Sequence, residues 1–345
     1  AATLLRFLLD HGGETEFHFE LVGELLDEKL IALLKAAPAG RFRVEIGIQS
    51  TCPPALEAVR RKYDLARLKA NCLALTSGGD PTGAGPTGAN PPNAGPTRTG
   101  PNSTGPTVHL DLIAGLPYED LATFGRSFDW TFRLHPDELQ LGFLKLLKGS
   151  PLREEADTYE YLFTATPPYE ILRSKWLSYD DLLHLKGVEE MVEKYFNSWH
   201  FRYTIAYLSR DDTLSPWAFF SALARFWQEK GYSGQAHKQG ALYTRLWRFL
   251  TAEFFVESRP GEEHEQDSEH EENVELESEE VQKEQIKLEG REIEDGWTSP
   301  ESEKGKRRRP VETPLEELNQ QQRKETKRWN QEHLRALLTL DYYLS

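Results

Sequence analysis

Four polar side chains, Glu20, Glu45, Gln49 and Asp111, occupy matching places in successive apolar segments, and their chemistry suits a polar ligand. In EFHFEL (16–21), Phe17, Phe19 and Leu21 fall on one side of an extended chain, with His18 and Glu20 on the other. In FRVEIGIQS (42–50), Val44, Ile46 and Ile48 oppose Glu45, Gly47 and Gln49. In VHLDLIA (108–114), Leu110 and Leu112 oppose His109 and Asp111, although Ile113 breaks the polar side. This period-two alternation marks strands with one apolar face. Carboxylates accept hydrogen bonds from hydroxyl or ammonium groups, and a carboxamide both donates and accepts. Buried without a partner, a neutral polar group costs roughly 2–7 kcal/mol and a charge more. Water or a polar ligand must satisfy these groups.

The elements around them are legible. Residues 1–11 read as a helix closed by Gly12-Gly13. Leu25, Leu26, Leu30, Ile31, Leu33 and Leu34 have helical spacing within 22–37. Pro53-Pro54 opens a short helix, and Asp64 caps another whose one face carries Leu65, Leu68, Cys72 and Leu75. A helix over 119–134 precedes a fourth strand, ELQLGFLKLL (138–147). The order β-α-β-α-β-α-β predicts an α/β fold with a parallel sheet. Parallel strands covered on both faces normally read as continuous apolar runs. The polar side here predicts instead a partial (β/α) barrel of about four parallel strands, 14–21, 42–49, 108–114 and 138–146, around a hydrated lumen. An antiparallel sheet with its polar face in solvent is the competing arrangement. Glu20, Gln49 and Asp111 lie at or near the carboxyl ends of their strands, the end that carries active sites in β/α barrels.

Residues 77–107 are almost entirely Gly, Pro, Thr, Asn and Ser and read as a disordered insert within a first domain, 1–152. Lying between a helix and the next strand, the insert belongs at the end opposite the site. An all-α C-terminal domain follows at 153–256. It has a capping box at Ser178 and Asp181, and a helix that starts at Ser215-Pro216 and stops at Gly231. Residues 257–312 read as a disordered acidic linker, and 313–345 as a returning terminal helix of the same domain, starting at Pro314. The net charge of -15 argues against a general nucleic-acid or anionic-membrane binder. No apolar run approaches the ~20 residues of a membrane span. Two cysteines, Cys52 and Cys72, exclude a disulfide framework and a cysteine-rich zinc module, and suggest a reducing, cytoplasmic setting. His264 and His270 lie in a charge run, KGKRRRP (304–310) in a linker, and the aromatics of 199–227 at core spacing.

EIGIQS followed by HLDLIAGLP resembles the radical S-adenosylmethionine superfamily, in the branch related to oxygen-independent coproporphyrinogen III oxidase. FHFELVGELLDEKLIALL, PDELQLGFLKLLKGSPLR, PPYEIL and LSYDDLLHLKGVEEMVEKYFNSWHF resemble a subgroup that carries an N-terminal cobalamin-binding domain, a radical barrel and a C-terminal helical domain of unknown function. The resemblance covers 1–256 outside the insert, and about 314–345. It implies S-adenosylmethionine bound to a 4Fe–4S cluster, cobalamin as a further cofactor, and radical methyl transfer or a related reaction on an unidentified substrate. It also implies that Glu20, Gln49 and Asp111 contact S-adenosylmethionine, that Arg61 lies near its carboxylate, and that Lys145 makes a backbone contact near the adenine. The family's CxxxCxxC loop, the glycine-rich segment after its second strand and the cobalamin domain have no counterpart here. The chain therefore reads as an N-terminally truncated fragment without its cluster-binding segment, inactive alone. The other reading is a non-catalytic remnant that serves as a binding or scaffolding module.

Overall fold

The computed structural model describes residues 1–62, 64–76, 104–209, 215–251 and 335–342. All of them belong to one compact unit, Ala1–Phe255 with Lys327–Ser345. Of the insert expected at 77–107, residues 77–103 lie outside the described residues, as do the acidic tract and the helix start at Pro314. The insert's last residues are ordered, with Thr104 bridging Pro38 and Thr107 opening a strand.

The fold is α/β. Helix α1 (Ala2–His11) leads to β1 (Phe17–Leu21), and a 3-10 turn at Gly23–Leu25 leads to α2 (Glu28–Ala36). The leucine pattern over 22–37 is thus split in two, because Asp27 takes an extended conformation and its carboxylate caps the Leu30 amide at 2.8 Å. Strand β2 (Phe42–Gln49), helices α3 (Pro53–Ala58) and α4 (Leu65–Thr76), β3 (Thr107–Ala114), α5 (Leu121–Phe132) and β4 (Glu138–Phe143) follow. The strands lie in the order β1-β2-β3-β4, every pair parallel. That pairing excludes the antiparallel alternative and agrees with the half-barrel expectation. Strand β4 ends at Phe143, earlier than the apolar pattern through 147 predicts. Leu144 still donates to Ala114 of β3, but its carbonyl accepts from Ile171, and the Leu146 amide donates to the Tyr169 carbonyl, in a later hairpin.

Strands β2 and β3 bury their apolar sides, and that of β1 is half-buried. Phe42, Val44, Ile46 and Ile48 of β2 and Val108, Leu110, Leu112 and Ala114 of β3 are essentially inaccessible to solvent. Burial of such side chains stabilises the fold by about 1.5–3 kcal/mol each, and α4 and α5 supply the cover. The polar side is left for the lumen.

From α6 (Pro151–Glu154) the chain is mostly helical, with one departure from the all-α expectation. Strands β5 (Leu162–Phe163) and β6 (Ile171–Arg173) form an antiparallel hairpin. Helices α7 (Tyr179–Val192), α8 (Arg202–Leu208), α9 (Pro216–Glu229) and α10 (Gln239–Phe249) complete the region, with a π-turn at Glu193–Asn197. The Ser178–Asp181 capping box opens α7. Helix α9 packs on α5, where Phe128 meets Trp217 and Phe220 at ring separations of 5.8 and 5.9 Å. Asp129 of α5 accepts from the Trp217 amide at 2.7 Å and from Ser215 at 2.6 Å, at the start of α9. A short helix at 335–342 returns to this region. Its buried Asp341 accepts from the Tyr203 and Thr204 amides, each at 2.9 Å.

Candidate functional site

The strand registers set the polar face in rows. Glu20, Glu45, His109 and Glu138 face one another in one row, and Gly47, Asp111 and Gln140 in the next toward the carboxyl ends. Gln49 lies beyond them, at the end of β2, where the β2–β3 register shifts between Gly47 and Gln49.

The amino-terminal half of this face is neutralised by its own side chains. His109 Nε2 lies 2.8 Å from Glu138 Oε2, and Arg43 reaches Glu138 at 3.4 Å. Arg43 Nη1 also approaches His109 Nε2 at 3.0 Å, and His18 pairs with Glu45 at 3.0 Å.

The carboxyl-terminal half is different. Gln49 is only 8% exposed, and its Oε1 is buried without a hydrogen-bond partner. Asp111 Oδ1 is likewise buried and unpartnered. Burial pushes the Asp111 carboxyl up to about 8, assisted by a hydrogen bond to Glu45 and by the charges of Glu45 and Glu20. Gln49 has a left-handed backbone, φ 66°, which is uncommon for a residue with a Cβ. Gly47 makes room for it: a Cβ there would collide with Gln49 Nε2.

Arg61 follows α3 in an exposed stretch, outside any helix. Its Nη1 contacts the Gly47 carbonyl at 3.4 Å, which brings the guanidinium beside the Gln49 side chain. Glu20 shares the polar face but is exposed, at the strand nearest the sheet edge. Lys145 stands apart: it lies past the end of β4, is exposed, and bridges Glu170 through its backbone. Gln49, Asp111 and Arg61 therefore lie at the carboxyl ends of β2 and β3, Glu20 lies one row back on the edge strand, and Lys145 follows the end of β4.

Sequence reasoning missed Glu119. It is fully buried in the turn after β3 and accepts from Ser50 Oγ at 2.7 Å and Ser127 Oγ at 3.0 Å. Burial pushes its carboxyl up to about 7. The available signal was an acid directly after GLPY, ahead of the Asp120 cap of α5.

Among the described residues, no group of three or more His, Cys, Asp or Glu is arranged to hold a metal ion. The thiols do not fit an iron–sulfur cluster. Cys72 is fully buried in the α4 core and burial pushes its thiol up to about 12, while Cys52 stands alone beyond β2.

The family described as "Protein of unknown function (DUF4080)" matches residues 157–345, more than half of the chain. The chain belongs to the DUF4080 family. The DUF4080 match takes in the β5–β6 hairpin and helices α7 to α10. A comparison with curated proteins finds no match. Solved structures similar to this DUF4080 chain include the radical S-adenosylmethionine methyltransferase TsrM from Kitasatospora setae, with tryptophan substrate and an S-adenosylmethionine analogue bound. It is 15% identical with a TM-score of 0.33, and the match covers 48% of this chain and 28% of that one. Elp3 from the archaeon Methanocaldococcus infernus is 16% identical with a TM-score of 0.33, covering 63% and 42%. Coproporphyrinogen III oxidase from Escherichia coli, a radical S-adenosylmethionine enzyme, is 17% identical with a TM-score of 0.29, covering 54% and 42%. The chain thus spans less than half the length of each of these three. Among the described residues, no helix is long and apolar enough to cross a membrane.

Proposed function

We propose that the carboxyl-end half of the polar face is an S-adenosylmethionine pocket, on the scaffold of a radical S-adenosylmethionine enzyme of the cobalamin-binding subgroup. One observation carries this reading: two buried acceptor atoms without partners, Gln49 Oε1 and Asp111 Oδ1, lie on neighbouring strands. A nucleoside carrying an amino-acid tail supplies what they lack, namely hydroxyl and ammonium hydrogens. Arg61 stands close enough to Gln49 to grip the ligand's carboxylate. Glu20, exposed on the edge strand, adds negative charge for the sulfonium and ammonium groups. The resemblance of EIGIQS and HLDLIAGLP to the superfamily points the same way.

S-adenosylmethionine is the methyl or radical source that such an enzyme uses, and these residues would bind and orient it. No radical step is assigned to this chain, because its two thiols do not fit a 4Fe–4S cluster. That thiol count supports a second reading, in which the chain is a non-catalytic binding module with the same pocket.

Calorimetric titration with S-adenosylmethionine tests the pocket. The chain should bind, and Gln49→Ala and Asp111→Ala should each weaken binding by about tenfold or more, equivalent to about 1.4 kcal/mol. Absence of binding, or variants that bind as well as the parent, would sink the proposal. Anaerobic reconstitution with iron and sulfide separates the two readings. A stoichiometric 4Fe–4S signal would revive the catalytic reading for this chain, and its absence favours the binding module.

A further inference from the structure

We infer that Glu119 is a positioning residue: it clamps the turn after β2 against the turn after β3 and so aims the Gln49 carboxamide into the pocket. The inference rests on the ligand-pocket reading of Gln49 and deepens it.

The clamp is a continuous set of short bonds. Ser50 and Ser127 both donate to Glu119 Oε1. Ser50 Oγ in turn accepts from the Cys52 amide at 2.9 Å. Ser127, on α5, accepts from the Thr51 amide at 3.0 Å and pairs with Thr51 Oγ1 at 3.0 Å. Three consecutive residues after Gln49 are thereby tied to Glu119: Ser50 directly, Thr51 through Ser127 and Cys52 through Ser50.

Both turns need tying. Gln49 and Tyr118, each next to a member of the Ser50–Glu119 bond, have left-handed backbones with φ 66° and φ 64°. Non-glycine residues hold that conformation at a cost of order 1 kcal/mol or more, and only where their surroundings over-determine it. Cys52 Sγ, 3.8 Å from the Tyr118 carbonyl, also joins the turns. With Glu119 gone, Ser50 is released, and the turn can relax toward a right-handed Gln49 that points its carboxamide elsewhere.

The clamp is also open to titration. Glu119 Oε2 is buried without a partner, so ionisation there meets no donor beyond the two serines. The charges acting on it are Asp120, which opposes ionisation, and Arg126, which favours it. Its raised carboxyl titrates near neutral pH.

The test pairs Glu119→Gln, which keeps an acceptor for both serines, with Glu119→Ala, which does not. Two readouts are taken: the Gln49 side-chain amide resonances in free protein, and the dissociation constant for S-adenosylmethionine. With Asp111→Asn in the background for this readout, which removes the other carboxyl titrating beside Gln49, the Gln49 amide resonances should move with pH around 7. In Glu119→Gln they should lose that step and otherwise stay in place, with affinity within threefold of the parent at pH 6. In Glu119→Ala they should shift, with affinity lowered tenfold or more. If Glu119→Ala does not fold, the pH step and its loss in Glu119→Gln decide alone. Parent-like Gln49 resonances in Glu119→Ala, or a pH step that persists unchanged in Glu119→Gln, would overturn the inference. The amide readout needs no ligand, so absence of S-adenosylmethionine binding would count against the pocket and leave the clamp to be judged by the resonances.

Discussion

The two halves of the polar sheet face solve one problem in opposite ways. Toward the amino ends, Arg43, His109 and Glu138 satisfy one another within 2.8 to 3.4 Å, and His18 pairs with Glu45. Toward the carboxyl ends, Gln49 Oε1 and Asp111 Oδ1 have no partner at all. Both halves carry polar residues in the same alternation. Polarity on the inner face is therefore not by itself the mark of a site. Unmet hydrogen-bonding capacity on that face is the better mark, because each unsatisfied group costs about 1–3 kcal/mol.

The sharpest way to break this contrast is to damage the closed half. Glu138→Ala removes the shared partner of His109 and Arg43. It should destabilise the chain by about 2–3 kcal/mol in urea unfolding, because part-buried charges lose their compensation. A loss under about 0.5 kcal/mol would mean the network is not structural.

The adjoining edge of β4 gives the next largest effect. There the Asn197 side chain acts as a substitute strand, accepting from the Leu139 amide and donating to the Leu139 carbonyl, each at 3.0 Å. Asn197→Ala should cost about 2 kcal/mol and speed hydrogen exchange at Leu139. At the other edge, β1 bonds to β2 through the Phe17 amide, and the alternation of a parallel ladder turns the His18 and Glu20 amides outward. Those two amides should exchange fastest among the inner strand residues.

The open half should respond in the reverse sense. The Asp111 carboxyl, raised to about 8, holds its proton more tightly in the fold than in the unfolded chain, where Asp titrates near 3.9. The stability this proton brings is complete below about pH 4 and is lost as pH rises through 8. Asp111→Asn should flatten that decline and stabilise the free chain by about 1 kcal/mol at pH 9. A destabilised Asp111→Asn would place Asp111 with the closed half. Lys145→Ala, exposed and outside both halves, should change stability by less than about 0.5 kcal/mol.

The half-barrel was legible because strand alternation and helix caps are local signals. Phe42 to Ile48 and Val108 to Leu112 announce their buried side, and Ser178 with Asp181 announces a helix start. The split of 22–37 at Asp27 was legible in principle, since Asp is a preferred cap, but the leucine spacing masked it. The β5–β6 hairpin was not legible: strands of 2 and 3 residues carry no period. Gln49, Asp111 and Arg61 could be singled out from parity and resemblance. Sequence does not show which polar groups find partners, so Glu45, paired with His18, and Asp111, with its unpartnered Oδ1, look alike. Glu119 escaped because its meaning depends on Ser50 and Ser127, which meet it only in the folded chain.

The most direct test of the division between the halves is a nuclear magnetic resonance titration of the chain with S-adenosylmethionine. The account predicts saturable shifts at the Gln49 side-chain amide and the Asp111 backbone, with His109 and Arg43 unmoved. Shifts centred on His109 and Arg43, or none at Gln49 and Asp111, would contradict it.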